Sequence, residues 1–119
     1  MTPDACNAFC AALPVATHVV QWGGADVWKV GGKVFAILGQ GADGHLSISF
    51  KVTPLVFEIY RDHPDCRPAP YLASRGMTWI QYYQGDTLGD DDLKGLIADS
   101  HRLVAAGLPK KTQKELGLI

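Results

Sequence analysis

Asp26-Val27-Trp28-Lys29-Val30-Gly31-Gly32-Lys33-Val34-Phe35-Ala36-Ile37-Leu38 reads as two short apolar strands around a glycine pair. Adjacent glycines supply the positive φ of a tight hairpin turn, so Asp26–Val30 and Val34–Leu38 are expected to pair antiparallel. Upstream, His18–Trp22 is a β-branched and aromatic run closed by Gly23-Gly24. Downstream, Gly39–Gly44 holds three glycines and an aspartate and reads as another turn. His45–Lys51 then alternates, with Leu46, Ile48 and Phe50 on one face and Ser47, Ser49 and Lys51 on the other. That period marks a half-buried strand. The connections are too short for parallel crossovers, so the sheet is mainly antiparallel.

Helices flank this β-rich stretch. Thr2 is an N-cap candidate, Pro3 suits the first helical position, and the first helix reads from Thr2 to Leu13 before Pro14. Thr53-Pro54 repeats the signal and predicts a helix over Leu55–Asp62. His63–Pro70 holds three prolines and is expected to be mostly loop. A short helix over Tyr71–Arg75, capped by Gly76, precedes a strand over Met77–Tyr83 and a turn at Gly85-Asp86. The last long helix runs from Asp90 or Asp91 to Ala106, with Asp90 as N-cap candidate. Its apolar stripe is Leu93, Leu96, Ile97, Leu103 and Val104, and Gly107 stops it. A basic segment, Lys110–Leu116, follows Pro109. An antiparallel sheet with one apolar face needs helices over that face. The expected architecture is a two-layer α+β domain over residues 1–119, its sheet packed against the N-terminal helix and the long C-terminal helix.

With 119 residues the chain suffices for one core. An apolar fraction of 47% against 19% charged argues against long-range disorder. No apolar run approaches the ~18 residues of a membrane span. No basic, apolar leader opens the chain, and a cytoplasmic location is expected. The net charge of −1 argues against a strongly basic nucleic-acid binder of the histone kind, though not against a local basic face. Cys6, Cys10 and Cys66 are an odd set, read as small buried hydrophobes rather than a disulfide framework.

No catalytic or metal-binding constellation emerges. Gly31-Gly32-Lys33 and Gly39-Gln40-Gly41 lie between strands, whereas a phosphate loop must open a helix. His18, His45, His63 and His101 show no metal spacing, and His63 with Cys66 offers too few donors for a closed zinc site. Ser100 falls inside the apolar stripe of the last helix. Its buried hydroxyl needs a partner, either the Leu96 carbonyl four residues back or a backbone group of the sheet. Asp90-Asp91-Asp92 is ordinary chemistry for a helix N-terminus. What remains is aromatic and basic: Lys51 on a polar strand face, Arg61, Arg67 and Arg75 around the proline-rich loop, and Lys110, Lys111 and Lys114 near the C-terminus.

The series Val30–Leu38, Ser47–Lys51, Arg67-Pro68 with Tyr71-Leu72, Trp79-Ile80 and Leu96–His101 resembles the MmcQ/YjbR family of small bacterial proteins. The likeness covers roughly Leu13 to Lys111. It implies an antiparallel sheet flanked by helices, akin to the double-wing arrangement of some transcription-factor domains, and a role in binding double-stranded DNA. It brings no catalytic residue and no cofactor. The matching positions are Lys33, Lys51, Arg67, Pro68, Leu72, Trp79 and Ser100; Lys51 and Arg67 suit phosphate contact, and Leu72, Trp79 and Ser100 suit the core. The expectation is therefore a non-enzymatic DNA-binding module; the sequence leaves its oligomeric state open, with a monomer favoured. Its candidate contacts are Lys33, Lys51, Arg67, Arg75, Lys110, Lys111 and Lys114. The alternative is a module for a small molecule or protein partner, using the aromatics to line a cleft.

Overall fold

A computed structural model describes residues 1–70, 72 and 75–119. The chain is an α+β domain in two layers, a six-stranded antiparallel sheet with helices on one face. Helix α1 spans Pro3–Ala11, and strands β1 (Ala16–Gln21), β2 (Ala25–Val30), β3 (Lys33–Gln40) and β4 (Leu46–Lys51) follow as a meander. Helix α2 (Pro54–Tyr60) leads to β5 (Cys66–Pro68) and β6 (Trp79–Tyr82). The chain closes with α3 (Asp90–Ala106) and α4 (Lys110–Glu115). The strand order is β1-β2-β3-β4-β6-β5.

The start signals act as their chemistry requires. Thr2 Oγ1 accepts from the Ala5 amide and Thr53 Oγ1 from the Val56 amide, each followed by proline in the first turn. The start of α3 differs from expectation: Gly89, not Asp90, is the N-cap, and the Asp92 carboxylate accepts from the Gly89 amide. Helix α1 ends at Ala11, short of Leu13, and β6 begins at Trp79 rather than Met77.

The proline-rich segment His63–Pro70 is mostly loop, as expected, but it holds one short strand that its prolines did not announce. Cys66–Pro68 is a strand, paired with Ile80–Tyr82. It sits at the sheet edge, where Pro68 lacks an N–H without breaking an interior ladder. The expected helix over Tyr71–Arg75 falls partly on residues 71, 73 and 74, which lie outside the described residues.

The helix-covered face is built from aligned rows. Trp28 opposes Ala36, which opposes Phe50, then Ile80; Leu38 opposes Ile48, then Tyr82, then Cys66. Cys6 and Cys10 from α1 and Leu93, Ile97 and Val104 from α3 complete this core. All three cysteines are free and buried, as expected of small hydrophobes.

One irregularity shapes the centre. Trp28 faces Ala36, but Lys29 faces Val34, so Phe35 is the extra residue of a β-bulge. Its fully buried ring meets His101 edge-on at 5.1 Å between centroids. Ser100 takes the sheet option among its two expected partners. Its hydroxyl donates to the Phe35 carbonyl at 2.7 Å and accepts from the Lys51 amide at 2.8 Å.

Candidate nucleic-acid interface

The helices leave the other face of the sheet to side chains of the opposite strand parity. Val19, Val27, Ile37, Ser49, Gln81 and Arg67 form one cross-strand row on that face. Thr17, Lys29 and Val34 form part of a second, and Lys51 opposite Trp79 lies on the same side, lining one groove with Val34 and Ile37. The strand residues of this face thus carry Lys29, Lys51 and Arg67 and no carboxylate. Asp26, the acidic residue of β2, points to the helix side, where it accepts from Asn7 Nδ2 at 3.2 Å and bonds His18 at 2.8 Å.

Arg67 is held in place on two sides. Its Cζ lies 4.2 Å from the centre of the Tyr83 ring, and its Nε donates to Gln81 Oε1 at 2.8 Å. Gln81 in turn donates to Ser47 Oγ at 3.1 Å, so one polar chain crosses β5, β6 and β4. Stacking on an aromatic ring orients a guanidinium while leaving its rim for further hydrogen bonds.

Lys33 and Lys51 meet at a groove of about 380 Å³. Trp22, Ile37, Met77 and Trp79 line it with them, and no carboxylate does. Trp22 and Met77 are exposed, whereas Trp79 is buried. Arg75 is exposed, and its amide donates to the Leu72 carbonyl.

The C-terminal lysines stand on α4, beside the β2–β3 turn. A Cβ added at Gly31 would lie 2.5 Å from Leu108 and 3.3 Å from Leu116, the residues flanking α4. Buried Gln113 fixes that helix by donating to the carbonyl oxygens of Leu108 and Ala106. Lys110, Lys111 and Lys114 therefore belong to the end of the molecule where the hairpin places Lys33.

Ion pairing separates the cations into two sets. Arg61 pairs with Glu58 and Arg102 with Asp99, and the N-terminal ammonium meets Asp90. Among the described residues, none of Lys33, Lys51, Arg67, Arg75, Lys110, Lys111 or Lys114 forms such a pair. Sequence reasoning missed Lys29, Gln81 and Tyr83. Val27, Trp28 and Val30 are all apolar, so the strand's two-residue period does not reveal which way Lys29 points.

The carboxylates that are held tightly lie elsewhere. Asp65, next to β5, accepts from both the amide and the hydroxyl of Thr87. Those two bonds hold its carboxyl below the ordinary carboxylate range. The His18 hydrogen bond does the same for Asp26, with Asn7 adding to it. Burial pushes the Cys66 thiol up to about 12, which keeps it protonated. Among the described residues, no three His, Cys, Asp or Glu side chains gather to hold a metal ion, and no helix is long and apolar enough to cross a membrane.

Comparison with known proteins agrees with this fold. A structure of Deinococcus radiodurans protein DR2400, carrying domain DUF419, superposes with a TM-score of 0.82 at 28% identity, over 98% of this chain and 88% of that one. A Pseudomonas syringae protein shares the fold, with a TM-score of 0.70 at 20% identity over 87% of this chain and 99% of its own. The uncharacterized protein YbdF of Escherichia coli O157:H7 is 35% identical over 95 residues, 76% of this chain and 73% of that protein. The family model named YjbR matches residues 11–103, and the chain belongs to the YjbR family.

Proposed function

We propose that the chain is a non-enzymatic module that binds double-stranded DNA through phosphate contacts, with the helix-free face of the sheet as its docking surface. One observation carries this reading: a chain of net charge −1 presents Lys29, Lys51 and Arg67 on one sheet face without a carboxylate among that face's strand residues. Local potential, not net charge, governs the approach of a polyanion. Lys29 and Lys51 stand two strands apart, about 10 Å by ordinary interstrand spacing. Two cations so placed can meet different phosphates of one duplex. Lys33, Arg75 and the α4 lysines extend the contact at the rim. The oriented guanidinium of Arg67 suits a phosphate oxygen pair.

Contacts to phosphate carry little sequence information, so the binding is expected to be weakly sequence-selective. If about five phosphates are neutralised, log K falls against log salt with a slope of about −4.5. Fluorescence anisotropy with a duplex oligonucleotide tests this. Binding at about 50 mM salt that weakens several-hundred-fold by about 200 mM supports the proposal. No binding at the lower salt overturns it.

A further inference from the structure

We infer that the groove beside Lys51 and Trp79 is a binding site for a small organic carboxylate with an apolar body. Three features point to this ligand. The groove's volume, about 380 Å³, is at the small-molecule end of the range for metabolite sites. Its lining is mainly apolar, from Ile37, Leu72, Met77 and the two tryptophans, yet among the described residues it includes two lysines, Lys33 and Lys51, and no carboxylate. Trp79, 97% buried by its 3% exposure, has an indole N–H with no acceptor among the described residues. A buried donor left unbonded is costly, so an acceptor supplied from outside recovers a real deficit.

The layout also orients the ligand. Lys51 and Trp79 oppose each other directly on β4 and β6, so one anionic head can meet both the ammonium and the indole N–H. The α3 end of the groove, at Leu103, Val104 and Gly107, presents the negative pole of a helix and disfavours the head there. The apolar body then extends over Ile37 toward Trp22. The indole N–H is itself buried, so an anionic head meets it only once a neighbouring side chain gives way; Met77, which lines the same groove, is exposed and unbranched and suits that role.

The three indoles provide the test. Trp28 Nε1 already donates to Asn7 Oδ1 at 2.9 Å, which makes it an internal control. The full chain, labelled with ¹⁵N and free of DNA, is titrated with butyrate, 3-phenylpropionate and indole-3-propionate, each beside its primary amide. Trp22→Phe and Trp28→Phe variants assign the indole signals. At least one acid is expected to shift the Trp79 Nε1–H signal saturably while the Trp28 signal stays. The matching amide is expected to bind about tenfold more weakly, since it lacks the charge. Lys51→Gln should bring acid affinity down to that of the amide with the Trp28 signal unchanged. Trp79→Phe, confirmed as folded by the unchanged Trp28 signal, should also weaken the acid. The inference is overturned if no acid moves the Trp79 signal up to about 10 mM, a Kd limit of only weak affinity. Equal affinity of acid and amide, or an unaffected Lys51→Gln variant, overturns it as well. Because DNA is absent, failure here leaves the DNA reading untouched, and failure of DNA binding leaves this site standing.

Discussion

Ser100 Oγ donates to the carbonyl oxygen of Phe35 across 65 positions of sequence, at 2.7 Å. The same oxygen accepts from the Lys51 amide at 2.8 Å. The β3–β4 register ends at Ala36 opposite Phe50, so the next ladder bond, between Lys51 and Phe35, is replaced by a helix hydroxyl inserted between the strands. A side chain of α3 thus repairs the gap that the β-bulge opens, and it fixes the backbone that carries Lys51.

Removing that hydroxyl leaves a buried carbonyl and an amide without their partner. Ser100→Ala is expected to cost about 2–6 kcal/mol, one desolvation penalty for each group. Urea denaturation at neutral pH measures it. A loss below about 0.5 kcal/mol, the scale of an ordinary surface substitution, would show that water or a strand shift closes the gap.

The two glycines of the β2–β3 turn share a backbone sign but not a neighbourhood. Gly31 has φ of 57° and Gly32 of 80°. A Cβ at Gly31 would meet Leu108 at 2.5 Å, whereas nothing lies within 4 Å of one at Gly32. Gly32→Ala should therefore cost about 1–2 kcal/mol for the left-handed backbone alone. Gly31→Ala should cost that plus about 1–3 kcal/mol of overpacking against Leu108. Leu108→Ala in the Gly31→Ala background should reduce the overpacking part and leave the backbone part. Equal stability of the two single variants would contradict the close approach of α4 to the turn.

How much of this was legible beforehand depends on whether the cause was local. Gly31-Gly32 and the alternation of Leu46–Lys51 fix the hairpin and β4 by turn chemistry and a two-residue period. Thr2-Pro3 and Thr53-Pro54 mark helix starts through bonds that span three residues. By contrast, β5 exists only because Cys66–Pro68 finds the edge of β6, and no local signal announces such a pairing. The bulge at Phe35 is hidden inside the continuous apolar run Val34–Leu38. The need for a partner at Ser100 is visible in the helix pattern, while the identity of that partner is a tertiary fact. For the site, Lys33 and Lys51 share one groove, whereas Arg67 takes its orientation from Tyr83 and Gln81, which nothing in the sequence pattern singles out.

The proposed DNA face makes a charge-by-charge prediction. Lys51→Gln and Arg67→Gln should each reduce the salt slope by about 0.9, the contribution of one neutralised phosphate. Lys110→Glu with Lys111→Glu should weaken binding alike for all duplex sequences. Arg102→Gln serves as the control, because Arg102 already pairs with Asp99 at 2.8 Å and lies on α3. If Arg102→Gln changes the slope as much as Lys51→Gln does, binding is diffuse and the sheet face has no special part in it.

Asp65 links the β5 edge to the start of α3, and its charge state sets a pH limit on the fold. Its carboxylate accepts from the Thr87 hydroxyl and amide, which lowers its pKa below the ordinary carboxylate value of about 3.9. A carboxyl that is more acidic in the folded state contributes stability that is complete above the unfolded pKa. That contribution disappears as pH falls through the folded pKa, because the folded chain must then bind the proton it had excluded. Asp26, lowered by its bond to His18, acts in the same direction. Stability should therefore be level with respect to these two groups above about pH 5 and decline below about pH 4. Asp65→Asn keeps an acceptor for the Thr87 amide but removes the charge. It should be less stable than the parent chain at neutral pH, and the two should converge as the parent's own carboxyl takes up a proton. Urea denaturation of both chains at intervals between about pH 7 and pH 3 measures the difference. A gap that stays constant to the lowest pH would show that the Thr87 contacts do not depend on the charge of Asp65.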